Sequence, residues 1–183
     1  MGYLANFCVV AVFLVKDVIT VPKSGPYTIV MQREETCEDT GTNQVYFGGN
    51  MKKNGNGMLM YTGDILFDVP WDNKLQAEVD LQQFRNGVYT PKIIYHKFKN
   101  CVGMLKYGLD LWGAFFRAAN YNFTQCPLPA GVYPVKDWEV RIEFNNLKTF
   151  IYGSYKMVTV FSRENKRVGC FTIYGDVVPR KEE

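Results

Sequence analysis

The sequence predicts an all-β fold, an antiparallel sandwich of about seven or eight strands. In the segment 74–84, apolar residues fall at every second position, which is the period of a strand with one buried face. The segment 138–144 alternates in the same way, and two Asn-Gly pairs at 54–57 are a strong hairpin signal. One segment between Cys101 and Cys126 has helical periodicity instead, so we expect a single helix within a β protein.

The other strands are predicted from runs of β-branched and aromatic residues bounded by Gly, Pro and Asn. In chain order, the predicted strands cover 27–31, 44–47, 58–69, 74–84, 92–98, 138–144, 155–161 and 168–173. The helix is predicted over 102–119, where Leu105, Leu109, Trp112 and Phe116 recur at spacings of four, three and four. At 183 residues, without repeats or a low-complexity linker, the chain is expected to form one domain.

The N-terminal segment 1–20 is predicted to be a signal peptide. Its apolar run over 7–15 is too short to span a bilayer as a helix and is typical of a signal-peptide core. No basic residue precedes the run and no small-x-small cleavage site follows it, so an uncleaved first strand is the alternative. With cleavage before Val21, the mature protein is the single domain 21–183.

The cysteines indicate an oxidising compartment. Removal of a signal peptide leaves Cys37, Cys101, Cys126 and Cys170, and an even number is typical of a disulfide-bonded secreted domain. Four cysteines allow three pairings, and the alternative is that they remain buried thiols. Asn122 begins an Asn-Phe-Thr glycosylation sequon. We therefore expect a secreted, extracellular glycoprotein, with the lysosomal lumen as the alternative location.

Charge and histidine content argue against several functions. The chain has 21 basic and 18 acidic residues, a net charge of +3 and no basic cluster, so nucleic acid is not an expected partner. The single histidine, His96, has no neighbouring Ser or Cys to activate and is expected to be a solvent-facing strand residue. Alternation on exposed strand faces accounts for Asp64, Asp68, Glu78 and Asp80. No enzyme, metal site or cofactor is predicted.

Three motifs in the C-terminal part carry a family resemblance. They are Cys-Pro-Leu-Pro-Ala-Gly-Val-Tyr at 126–133, Gly-Ser-Tyr-Lys at 153–156 and Lys-Arg-Val-Gly-Cys at 166–170. In this order they resemble the ganglioside-activator branch of the ML-type lipid-recognition family over 126–175. The overall cysteine pattern is most similar to the insect chemosensory A-type activator-like proteins of that family.

The resemblance implies an immunoglobulin-like β-sandwich with an apolar cavity between its sheets. It also implies the disulfides Cys37–Cys170 and Cys101–Cys126. The implied function is non-enzymatic binding or transfer of a lipid or other hydrophobic small molecule, such as a pheromone or cuticular hydrocarbon. A membrane surface and a receptor or partner protein are further expected contacts. The alternative is an interaction module with a filled core that recognises a protein or a glycan through its loops.

Apolar residues at inward positions of the predicted strands and helix are the candidate cavity residues, although each could belong to an ordinary core. They are Phe67, Val79, Trp112, Phe115, Phe116, Trp138, Ile142, Phe144, Tyr155 and Phe161. The loop 145–152 is apolar where a turn is usually polar. By the resemblance, Leu147, Phe150 and Ile151 form a rim that meets a membrane, and packing against the helix is the alternative.

Overall fold

A computed structural model describes residues 24–56, 58–140, 142, 144 and 147–180. Within these residues the chain forms ten strands in three antiparallel sheets and two short helices. The predicted all-β antiparallel sandwich is therefore confirmed. The predicted signal peptide, 1–20, lies outside the described residues.

Two sheets form the sandwich and a third is a short ribbon. The strands are β1 (Ser24–Gly25), β2 (Tyr27–Thr36), β3 (Val45–Lys53), β4 (Leu59–Phe67), β5 (Leu75–Arg85), β6 (Val88–Phe98), β7 (Gly131–Glu139), β8 (Phe150–Ile151), β9 (Gly153–Arg163) and β10 (Lys166–Pro179). The five-stranded sheet has the order β2-β10-β9-β5-β6, and the three-stranded sheet has the order β3-β4-β7. The strands β1 and β8 pair with each other. The helices, α1 (Cys101–Tyr107) and α2 (Leu109–Ala118), lie between β6 and β7 in the chain.

The single helix predicted over 102–119 is two helices that meet at Gly108. The side chain of Asn100 caps α1 by accepting a hydrogen bond from the backbone N–H of Gly103 at 2.9 Å. Asn100 directly precedes Cys101, the first residue of the helix. A Cβ on Gly108 would lie 3.0 Å from the carbonyl oxygen of Met104 and 3.1 Å from Cδ1 of Trp112. The close approach of these two groups explains why glycine occupies the junction.

The strand predicted over 138–144 overlaps β7 only at 138–139. The strand β7 begins earlier, at Gly131, and includes Pro134, which pairs with Asp64 of β4. Proline has no N–H to donate and is tolerated in edge strands, and β7 is at an edge of its sheet. Beyond 139, the described residues 140, 142 and 144 lie outside any strand. Ile142 is nevertheless buried, which is consistent with its apolar place in the alternating pattern.

The two sheets pack face to face through aromatic rings. The Phe47 ring of β3 lies 4.2 Å from that of Phe171 of β10, and the Phe67 ring of β4 lies 5.9 Å from that of Phe161 of β9. The indole of Trp112 on α2 contacts both sheets, at 5.4 Å from Phe47 and 5.9 Å from Phe171. The helix α2 therefore contributes to the core of the sandwich.

Two disulfides join distant parts of the chain. Cys37, directly after β2, is bonded to Cys170 of β10, and Cys101, at the start of α1, is bonded to Cys126 before β7. These are the pairs that the resemblance implied. Stable disulfides of this kind indicate an oxidising environment.

Candidate ligand cavity

An apolar cavity of about 490 Å³ lies against one half of the five-stranded sheet. Along β9, Tyr155 and Met157 line the cavity, whereas Phe161, farther along the strand, is fully buried in the core. Along β5, Val79 and Leu81 line it. The inward face of the sheet is thus divided into a half that packs against the other sheet and a half that faces the cavity.

The cover of the cavity comes from the helices and from four residues after β7, which are Ile142, Phe144, Leu147 and Phe150. The junction between α1 and α2 contributes Gly108 and Trp112. No residue described in β3, β4 or β7 lines the cavity. Among the described residues, the sheet part of the lining therefore comes from the five-stranded sheet, and the helices and the residues after β7 supply the rest.

The cavity opens beside the edge strand β6. Three apolar side chains that line it are also exposed to solvent: Ile94 at 49%, Tyr107 at 64% and Leu147 at 38%. The exposed His96 lies next to them, with its ring 6.1 Å from that of Tyr107. We call Ile94, Tyr107 and Leu147 the mouth of the cavity.

Few polar side chains line the cavity. The Tyr155 hydroxyl donates a hydrogen bond to the Ile151 carbonyl at 2.8 Å, and burial raises the pKa of this phenol. His96 and Asp110 also line the cavity. The indole N–H of Trp112 is buried and has no hydrogen-bond partner in the described part of the chain. The cavity can therefore hold an apolar molecule and offer it few directional contacts.

The structure separates the predicted cavity residues into two groups. Those that line the cavity are Val79, Trp112, Ile142, Phe144 and Tyr155. Those that lie away from it, in or against the aromatic core, are Phe67, Phe115, Phe116, Trp138 and Phe161. Members of this second group pack on one another: the Phe115 ring lies 5.0 Å from that of Trp138. Inward position alone did not distinguish the two halves of the sandwich.

The three predicted rim residues have different surroundings. Leu147 is an exposed mouth residue, and Phe150 is a half-buried residue of the cavity lining. Ile151 pairs with Ser24 in the β1-β8 ribbon and does not line the cavity. Asn122 of the predicted sequon is exposed.

Several lining residues were not predicted, and they share positions on strand faces. They are Ile29, Met31, Leu81, Ile94, Met157 and Ile173. Leu81 continues the alternation already visible in the segment 74–84, and Met157 lies two residues after Tyr155. Extending each inward face by two residues would have found both of them.

The described residues show no sign of a metal site or of a membrane-spanning helix. They contain no group of three or more His, Cys, Asp or Glu side chains arranged to hold a metal ion. Neither described helix has the length and apolar character needed to cross a membrane. The chain matches no protein-family model and no curated protein sequence.

Proposed function

We propose that this protein binds a lipid or another hydrophobic small molecule in the cavity and carries it in an extracellular compartment. The observation that supports this most strongly is the apolar cavity of about 490 Å³. Its size falls within the range of roughly 300–1,000 Å³ that is usual for small-molecule sites. The motifs that resemble the ML-type lipid-recognition family support the same proposal.

The cavity volume sets the size of the ligand. Divided by about 30 Å³, the volume of a water molecule in the liquid, 490 Å³ holds roughly sixteen groups of similar size. At about 0.8 kcal/mol for each buried methylene, a chain of that length gains on the order of 12 kcal/mol before ordering costs are subtracted. A ligand of this kind needs no cluster of polar side chains for affinity.

The surroundings of the mouth support exchange of the ligand at a membrane surface. Ile94, Tyr107 and Leu147 expose apolar area, and the exposed Lys106 and Lys148 lie next to two of them in the chain. The ammonium group of Lys106 lies 4.9 Å from the centre of the Tyr107 ring. Apolar side chains bordered by lysines suit the interface of a membrane that contains anionic lipid.

A substitution that fills the cavity tests the proposal. Val79 lines the cavity, and its replacement by Phe adds volume there. Val158 is a similarly half-buried valine on β9, but it pairs with Asp80 and faces away from the cavity. Val79→Phe is therefore expected to reduce uptake of the fluorescent probe N-phenylnaphthylamine about tenfold or more, and Val158→Phe is expected to leave uptake unchanged.

Two results would count against the proposal. The wild-type protein could fail to take up the probe after extraction of co-purified lipid, or both variants could take it up equally. The first result would favour the alternative function, recognition of a protein or a glycan through the loops, and the second would show that the probe binds outside the cavity.

A further inference from the structure

The inner face of the edge strand β6 changes from buried to exposed toward the mouth of the cavity. Phe98, His96 and Ile94 follow one another on this face, and all three line the cavity. Phe98 is buried, whereas His96 and Ile94 are exposed. The imidazole ring of His96 lies 4.4 Å from the Phe98 ring. A histidine therefore stands on an apolar strand face, at the place where the cavity reaches solvent.

The polar side chains on the outer face of β6 are bonded to the neighbouring strand. Tyr95 donates its hydroxyl to the Glu78 carboxylate at 2.8 Å, and the Lys97 ammonium donates to the same carboxylate at 2.6 Å. By contrast, the His96 ring packs against aromatic rings, and its nitrogens form no hydrogen bond to another described residue. Because the side chain is exposed, these nitrogens are open to water or to a bound molecule.

The deeper lining offers a ligand no comparable group among the described residues. Tyr155 is buried, and its hydroxyl already donates a hydrogen bond to a backbone carbonyl. The indole nitrogen of Trp112 has less than 1 Å² of exposed surface, so the cavity does not reach it. Other buried lining residues are apolar, among them Met31, Ile142 and Ile173. A polar group placed there would lose hydration without gaining a hydrogen bond, so it is favoured at the mouth instead.

Charged groups of both signs lie around the mouth. Asp110 lines the cavity three residues after the mouth residue Tyr107. The Lys106 ammonium lies 4.9 Å from the centre of the Tyr107 ring. A carboxylate on the ligand would meet the Asp110 carboxylate, and an ammonium would meet that of Lys106, so neither charge is favoured. A hydroxyl donates and accepts hydrogen bonds, as a neutral imidazole also does, and it suits this mouth better.

We propose that His96 determines the specificity of the cavity and that the ligand is a single-chain amphiphile with an uncharged hydroxyl head. The hydrocarbon chain fills the apolar cavity, and the hydroxyl lies at the mouth, where it hydrogen-bonds to the imidazole. This inference rests on the proposed function and adds the class and orientation of the ligand. A hydrocarbon of the same length would cover the imidazole without bonding to it, so it is expected to bind less tightly.

Three probes with equal numbers of non-hydrogen atoms test the ligand class: tetradecanol, pentadecane and tridecanoate. Each competes with N-phenylnaphthylamine for the lipid-extracted full chain. His96→Leu removes the imidazole, and Tyr95→Leu is the matched control, since Tyr95 is the next exposed residue on β6 but does not line the cavity. The preference for tetradecanol over pentadecane is expected to fall about fivefold in His96→Leu alone, which is the effect of one hydrogen bond.

A second readout needs no variant and reports the orientation of the ligand. His96 is the only histidine in the chain, so its imidazole C–H resonances identify themselves in a protein without an affinity tag. In protein loaded with tetradecanol, nuclear Overhauser effects are expected between these ring protons and the methylene that carries the hydroxyl. The terminal methyl of the ligand is expected to show none, because it lies deep in the cavity.

Three results would overturn the inference while the proposed function stands. They are an unchanged alcohol-to-alkane preference in His96→Leu, tighter binding of tridecanoate than of tetradecanol, and an Overhauser effect between the terminal methyl and the imidazole. Failure of all three probes to compete would contradict the proposed function itself.

Discussion

The ring of Phe150 packs edge-on against that of Tyr155, with 5.3 Å between the ring centroids. Tyr27 contacts the same phenylalanine at 5.5 Å. These three residues and Val177 belong to a small apolar cluster beside the cavity. Phe150 is thus anchored to the five-stranded sheet, and of the three predicted rim residues Leu147, Phe150 and Ile151 it is Leu147 that is exposed.

Charged substitutions should separate these two roles. Phe150→Asp is expected to lower the free energy of unfolding by about 2 kcal/mol or more, because it places a carboxylate among Tyr27 and Tyr155. Leu147→Asp is expected to change it by less than about 0.5 kcal/mol and to weaken association with vesicles that contain anionic lipid. Urea unfolding and vesicle sedimentation measure the two effects. Equal stability of both variants would show that Phe150 does not anchor the segment.

Glu34 should make stability depend on pH. It lies on the edge strand β2, pairs with Ile173 and points toward Tyr61 of the opposite sheet. Burial raises the pKa of Glu34 from 4.5 to about 7, and the hydroxyl of Tyr61 offsets part of that rise. The folded state therefore holds the proton more tightly than the unfolded state. The stability contributed by this group is complete below about pH 4.5 and is lost as pH rises to about 7.

Glu34→Gln tests this linkage, since an amide does not titrate. The variant is expected to match the wild type near pH 4.5 and to be more stable above pH 7, by about 3 kcal/mol at most. Urea unfolding of both proteins across this range measures the difference. A constant difference at all pH values would contradict a raised pKa at Glu34.

The disulfides should contribute unequally to stability. The Cys37–Cys170 bond joins residues 133 apart in sequence, and the Cys101–Cys126 bond joins residues 25 apart. In the chain-entropy account, the longer loop gives about 5 kcal/mol and the shorter about 3.5 kcal/mol. Replacing each pair by alanines and measuring denaturant midpoints is expected to show the larger loss for the 37–170 pair. The reverse order would contradict a loop-length origin.

Thr159 should reduce the stability of the ligand-free protein. Its buried hydroxyl has no partner in the described residues, so burial costs free energy without a compensating hydrogen bond. Thr159→Val keeps the shape of the side chain and is expected to raise the free energy of unfolding of lipid-extracted protein by about 1 kcal/mol. A loss of stability on this substitution would show that the hydroxyl is hydrogen-bonded in the folded protein.

Local patterns predicted the sheet-forming segments well where alternation was strong. The segment predicted as a strand over 74–84 lies within one residue of β5, which spans Leu75–Arg85. The strand β2 runs beyond its predicted end because the charged residues after Met31 pair with β10, and Glu34 faces the core there. Such pairing depends on a segment more than a hundred residues away, which local composition does not reveal.

The cavity was harder to predict than the fold. Periodicity shows that Phe161 and Tyr155 point inward, but not that Phe161 meets the opposite sheet while Tyr155 faces the cavity. That distinction depends on the different widths of the two sheets and on the helix junction at Gly108. Both are consequences of tertiary packing. Gly108 did not mark the junction by itself, because the predicted helix also contains Gly103 and Gly113, which lie within α1 and α2.

Native mass spectrometry of the protein secreted from a eukaryotic host tests the central claim most directly. The wild type is expected to carry a co-purified hydrophobic molecule that is released by organic extraction. Val79→Phe is expected to carry much less of it, whereas Val158→Phe should carry as much as the wild type. If the wild type carries no co-purified hydrophobic molecule and takes up no added hydrophobic probe after extraction, the cavity does not serve as a binding site.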